Sequence, residues 1–211
     1  TTIPAALDKG ARLLVETQAR AFALDAADRI TALHCVAVRS NGEPMPLQAT
    51  RIMARHYVVA GGAINSPALL LRSKLPDPHA RMGRRTFLHP VTISAAIFDH
   101  PVEGWNGAPQ TLYTDHFLGL QPIDGPIGYK LEAPPMHPVI FASTLPGYGR
   151  RQADLLSHFA NTHSLLALLR DGFHAQSPGG RVRLGSHDAP VLDYELNEFV
   201  MDGARRALLS M

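Results

Sequence analysis

Hydrophobic positions change rhythm along this chain, and each rhythm predicts an element. Thr2 suits a helix cap, Pro4 a first helical turn and Gly10 a stop, so residues 3–9 read as a short helix. Ala11 to Leu24 is apolar with intermittent polar residues and reads as a strand; Ile30 to Arg39 alternates, with Ile30, Ala32, Cys35 and Ala37 on the apolar side. Asn41-Gly42 then turns the chain into a more polar third strand over residues 47–54, which makes a small meander. Tyr57 to Ala60 predicts an apolar strand that runs into Gly61-Gly62, and Ser66-Pro67 reads as the cap and first residue of a helix. Such strand, glycine turn, helix units hold ligands at the carboxyl ends of strands in open α/β sheets, because helix N-termini and backbone N–H groups face the crevice there. A purely structural tight turn is the other reading of the same glycines.

After Pro76 prolines and glycines punctuate shorter segments, and Thr92 to Phe98 and Val139 to Ser143 predict strands of an antiparallel sheet. Leu155 to Phe159 and Leu165 to Leu169 are apolar runs, Arg181 to Leu184 alternates like a strand, and Leu196 to Leu209 has helical spacing. The change in texture predicts two domains, 1–90 and 91–211. The fold class expected is α+β, a mixed α/β arrangement.

Composition narrows the function. Of 211 residues 45% are hydrophobic and 18% charged, so there is ample apolar surface for a core and too little charge to keep the chain expanded. Twenty Lys+Arg against eighteen Asp+Glu gives a net charge of +2 with the basic residues scattered, which argues against a nucleic-acid partner. No apolar run of about 18 residues is present for a membrane span. The single cysteine, Cys35, leaves no intramolecular disulfide, redox pair or thiolate cage.

Eleven histidines invite a metal reading, but none forms a His-x-His or His-x-x-x-His pair, and no metal site is predicted. Gly185-Ser186-His187-Asp188 reads as a polar hairpin turn, since neither Ser66 nor Ser186 stands in the GxSxG frame of a nucleophile. Trp105 and Tyr113 read either as pocket lining or as core anchors. Arg84-Arg85 and Arg150-Arg151 read as solvated loop charges, with a cofactor phosphate near Arg84 as the other reading.

Three stretches together resemble the glucose-methanol-choline (GMC) family of FAD-dependent oxidoreductases. The run Leu13-Leu14-Val15-Glu16-Thr17-Gln18-Ala19-Arg20-Ala21-Phe22 is similar to the family strand whose backbone faces the adenine ring, with Arg20 at that position. Gly62, Ala63, Ser66, Pro67, Leu69, Leu70, Ser73 and Leu75 fall in register with a family signature, although Lys74 and Pro76 replace its two later glycines. Met82-Gly83-Arg84-Arg85-Thr86-Phe87-Leu88-His89-Pro90 resembles the family segment near the flavin; Gly83, Arg84, His89 and Pro90 match, whereas Arg85 and Leu88 replace an Asn and an Asp.

The resemblance implies a partial FAD-binding domain joined to an antiparallel-sheet substrate domain of GMC type. It implies FAD as cofactor, with Arg20, Ala60, Gly61, Gly62, Ser66, Gly83 and His89 as cofactor-binding positions, and a small alcohol as the substrate of a bacterial alcohol dehydrogenase-like reaction in which hydride passes to FAD. In such an enzyme a histidine takes the hydroxyl proton, its neutral imidazole titrating near working pH.

The family's opening GxGxxG unit and closing histidine segment have no match here; Gly147-Tyr148-Gly149 lacks the third glycine. No catalytic residue is therefore assigned. The start at Thr1 and the end at Met211 read as those of an interior fragment, whose partners are the preceding and following segments of the same protein, with self-association through the surfaces those segments cover. Alone it is expected to bind FAD weakly or not at all and to be inactive. The rival expectation is a non-catalytic binding or scaffold module that retains the substrate-domain sheet.

Overall fold

The structure, a computed structural model, describes residues 2–108 and 110–211, and the backbone alone at 46 and 47. In chain order the elements are α1 (Thr2–Asp8), β1 (Thr17–Leu24), β2 (Ile30–Val38), β3 (Pro44–Ile52), α2 (Gly62–Arg72), β4 (Arg84–Thr86) and β5 (Val91–Ile97). There follow β6 (Tyr113–Thr114), β7 (Tyr129–Glu132), α3 (Pro138–Thr144), α4 (Arg150–Ser157), β8 (Thr162–Leu169), β9 (Gly180–Leu184), β10 (Pro190–Asp193) and α5 (Glu198–Ser210). This is an α+β chain, and every strand pairing among the described residues is antiparallel. It divides into two compact units: one runs to Thr86 and takes back Gly180–Asp193, the other comprises Phe87–Gly179 and Tyr194–Met211.

In the first unit β1, β2 and β3 form the meander, in that spatial order. The turn between β2 and β3 closes at Asn41-Gly42, where Asn41 Oδ1 accepts from the Glu43 N–H at 3.1 Å and the Gly42 N–H donates to the Arg39 carbonyl at 2.8 Å. Phe22 on β1 sits opposite Leu33 on β2 and meets Tyr57 edge-to-face, ring centroids 5.4 Å apart. Ala32 and Cys35 of β2 and Ala68 and Leu69 of α2 are buried in this unit. A second sheet, β10-β9-β4, completes it, with α2 against β9.

The second unit holds a four-stranded sheet ordered β5-β8-β7-β6. Its core gathers Ile127, Tyr129, Leu131, Ala167 and Leu169 against Val200 and Ala207 of α5. α5 is capped by Asn197, whose Oδ1 accepts from the Val200 N–H at 3.1 Å. At Gly203 an added Cβ would lie 2.9 Å from Leu169 Cδ2 and 3.0 Å from Ile127 Cβ, so the missing side chain is what lets helix and sheet touch. Phe117 stacks on Tyr129 at 5.0 Å, and the Tyr129 hydroxyl reaches the Arg206 carbonyl at 3.2 Å.

Several elements depart from their sequence reading. Tyr57 to Ala60 joins no ladder among the described residues, and Val58 is 90% exposed. An apolar tetrapeptide becomes a strand only where a neighbour takes its N–H and C=O groups, and none does so among the described residues. For the same reason β1 begins at Thr17 rather than Ala11. Helix α2 begins at Gly62, four residues before Ser66, and its cap position is Gly61. Gly62 has φ 76°, the left-handed conformation that turns the chain directly into the helix. Pro67 therefore lies inside the helix and forfeits the bond to the Ala63 carbonyl.

Val139 to Ser143 lies in helix α3, not a strand. His137 Nδ1 accepts from the Val139 N–H at 3.3 Å and Pro138 opens the helix, so local capping outweighs the β preference of Val139 and Ile140.

Candidate functional site

The first unit contains a cleft of ≈ 570 Å³ whose walls come from β1, residues 58–61, α2 and the turn that precedes β10. Phe22, Leu33, Tyr57 and Leu69 contribute apolar lining; Gln18, Arg20, Asn65, Ser66, Arg72 and Asp188 contribute polar lining. A slot of this kind suits a flat, partly polar ligand, because apolar lining rewards desolvated contact while polar groups fix orientation.

Local irregularities make the cleft. The register of β1 against β2 runs Ala19 opposite Cys35 and then Ala21 opposite His34, so Arg20 is the extra residue of a bulge. The outer edge of β1 meets side chains rather than another strand. Arg72 Nε donates to the Arg20 carbonyl at 2.9 Å, and the Phe22 N–H donates to Ser73 Oγ at 2.8 Å. Ser73 Oγ in turn donates to the Leu69 carbonyl at 2.6 Å. Arg72 Nη1 also donates to the Asp188 carbonyl at 3.3 Å. Burial, and then the nearby Arg20 cation, lower the Arg72 pKa from the usual guanidinium value. Burial pushes the Cys35 thiol up, so this cysteine is not poised as a nucleophile.

Of the seven positions named from sequence, Arg20, Ala60, Gly61 and Ser66 line this one cleft. Ser66 does so from inside α2 and does not cap it. Gly61 packs close to the helix start, an added Cβ lying 3.3 Å from the Ser66 nitrogen. Gly62 adjoins the cleft walls in sequence without lining them, and open space lies where its Cβ would point. Gly83 is elsewhere in the unit: an added Cβ would lie 2.2 Å from the Val182 carbonyl oxygen, and the Val182 N–H donates to the Gly83 carbonyl at 2.6 Å. His89 belongs to the second unit, exposed, between β4 and β5. Among the polar cleft residues that sequence reasoning did not name as site positions are Gln18, Asn65, Arg72 and Asp188.

The second unit has its own smaller cavity of ≈ 220 Å³ beside Trp105, Gln110, Pro135, Met136 and His163. Trp105 stacks on Phe159 at 5.0 Å, while Tyr113 is exposed with Lys130 Nζ 3.9 Å from its ring centroid. Tyr194 donates from its hydroxyl to the Asp171 carboxylate, and burial followed by that bond raises the tyrosine pKa above its ordinary value. Among the described residues no three His, Cys, Asp or Glu side chains group as metal ligands, and no helix is long and apolar enough to cross a membrane.

Comparison with known proteins supplies the class. Residues 1–91 match the family model for GMC oxidoreductase. Two uncharacterized GMC-type oxidoreductases of Mycobacterium tuberculosis, from strains CDC 1551 and H37Rv, are each 36% identical over 98 residues, 46% of this chain and 14% of the relative. An uncharacterized GMC-type oxidoreductase of Sinorhizobium fredii is 27% identical over 171 residues, 81% of this chain and 31% of that relative. Residues 1–91 are thus similar to GMC oxidoreductases, and the matched chain spans less than a third of the length of these curated relatives.

Proposed function

We propose that this chain is part of a flavin-dependent oxidoreductase acting on the CH–OH group of an alcohol, and that the cleft of the first unit receives the adenine end of FAD. The supporting observation is the convergence of Arg20, Ala60, Gly61 and Ser66 on one cleft with both apolar and polar lining, within the residues that match the GMC oxidoreductase model. The residues fit the group: Phe22, Leu33 and Leu69 offer contact to a flat ring, and Arg20 brings a positive charge to the lining that nucleotide phosphate can meet. When bound, FAD supplies the acceptor for the hydride that leaves the alcohol carbon.

This chain's own work in that reading is to bind and orient. The bulge at Arg20 takes that residue out of the regular ladder, and Ala60 and Gly61 offer a wall with little or no side chain to a ligand. Gly83 and His89 are proposed as flavin-side contacts through their segment, and the cavity beside Trp105 as wall for the alcohol. No side chain of the chain is assigned the role of base.

Titration with FAD, followed by flavin absorbance and fluorescence, tests the reading. The full-length protein should bind tightly, and Ala60→Trp, which fills the cleft, should weaken binding by about tenfold or more. The 211 residues alone should bind weakly or not at all and turn over no alcohol; micromolar binding with a perturbed flavin spectrum would show that a GxGxxG unit is dispensable. A flavin-bound structure with the ligand far from Ala60–Gly62 would overturn the site.

A further inference from the structure

Arg72 occupies an unusual electrostatic position for a residue at the end of a surface helix. It donates to two backbone carbonyls, Arg20 on β1 and Asp188 in the turn before β10, 52 and 116 residues away along the chain. Among the described residues no carboxylate lies within ion-pair distance of it. Both carbonyls belong to backbone that departs from regular geometry: Arg20 is the bulged residue of β1, and His187 and Asp188 have φ 56° and 57°, left-handed values for consecutive non-glycine residues. Such conformations persist where surrounding bonds over-determine them. The planar guanidinium, with donors diverging from one rigid fork, spans two carbonyls that a point charge cannot hold in the same way.

We propose that Arg72 is the positioning residue of the nucleotide cleft, clamping the β1 bulge and the 186–190 turn so that the two walls stand at the spacing a bound adenine nucleotide requires. The proposal rests on the FAD reading above and deepens it. Ser73 reinforces the clamp from the next position, its Oγ accepting from the Phe22 N–H.

The test uses full-length protein as wild type, Arg72→Gln and Arg72→Lys, with two readouts. The first is amide hydrogen exchange over residues 18–22 and 186–190 without ligand, which should quicken in Arg72→Gln by about tenfold, the scale of one charged hydrogen bond. The second is the dissociation constant for adenosine, which is uncharged, and for ADP. Arg72→Gln should weaken both by the same factor, about tenfold, with a melting midpoint lowered by only a few degrees; Arg72→Lys should weaken both in the same direction by about threefold.

Unchanged adenosine affinity in the two variants overturns the proposal. So does a loss confined to ADP, which would make Arg72 a phosphate ligand. If Arg72→Gln does not fold, Arg72→Lys carries the decision alone. If wild-type protein binds neither adenosine nor ADP, the nucleotide reading fails by itself, and exchange at the two walls decides whether Arg72 clamps them.

Discussion

The two units use similar parts to opposite ends. Each sets a helix against an antiparallel sheet, but α5 lies on its sheet with Gly203 at the contact, whereas the end of α2 reaches the open edge of β1 with the side chains of Arg72 and Ser73. The first arrangement brings helix and sheet into direct contact at Gly203, and what holds it is apolar burial. The second leaves a cleft, and what shapes it is a few polar ties to backbone. A cleft left open is not held by packing across it, so its geometry rests on bonds that single substitutions can break.

That contrast orders the consequences of mutation. Leu169 is 1% exposed at the centre of the second unit's core, and Leu169→Ala should lose about 2–5 kcal/mol by removed contact plus residual cavity. Chemical denaturation measures it, and hydrogen exchange should show the lost protection concentrated in β7, β8 and α5. Loss spread evenly across both units would break the comparison.

In the first unit Gly83→Ala should cost about 1–3 kcal/mol, since a Cβ meets the Val182 carbonyl oxygen and φ is 71° there. Protection should fall at β4 and β9. A neutral result would mean that the two strands separate freely.

Tyr194→Phe sharpens the polar side of the comparison. Near neutral pH it removes the bond to Asp171, which retains the Gly172 N–H at 2.8 Å, and should cost about 1 kcal/mol. Its pH dependence has a defined sign. Burial and the Asp171 carboxylate keep the folded-state phenol protonated above its ordinary range, while the unfolded tyrosine ionises near pH about 10. The stabilisation is complete below that pH and is lost as pH rises toward the folded-state value. Denaturation curves above pH about 10 should therefore fall more steeply for wild type than for the variant; parallel curves would detach Tyr194 from the alkaline loss.

The smallest effect belongs to the exposed pair Arg183–Asp193 on β9 and β10, 2.7 Å apart. Asp193→Asn should leave the melting midpoint within experimental error, because solvent screens such a pair and ordering two side chains offsets its attraction.

Local chemistry was enough for much of the fold. The Asn41-Gly42 turn set the hairpin of β2 and β3, and helical spacing after Leu196 anticipated α5. Where a partner was needed, local chemistry misled: Tyr57 to Ala60 has strand composition and no ladder, and Val139 to Ser143 coils because His137 and Pro138 start a helix. For the cleft, motif resemblance found Arg20, Ala60, Gly61 and Ser66, but Arg72 carried no signal. A basic residue in the last turn of a helix reads as an ordinary dipole complement.

The sequence by itself determined the α+β class, the meander, the apolar runs that become the second unit's core, and the family pattern across residues 1–91. Those follow from composition, periodicity and turn residues, which act over a few positions at a time. Only the tertiary structure decided that Gly180–Asp193 returns to the first unit and that Arg72 meets Arg20 and Asp188. Hydrogen bonds across 52 and 116 residues of chain depend on where folding brings backbone carbonyls together, and no local pattern encodes that meeting.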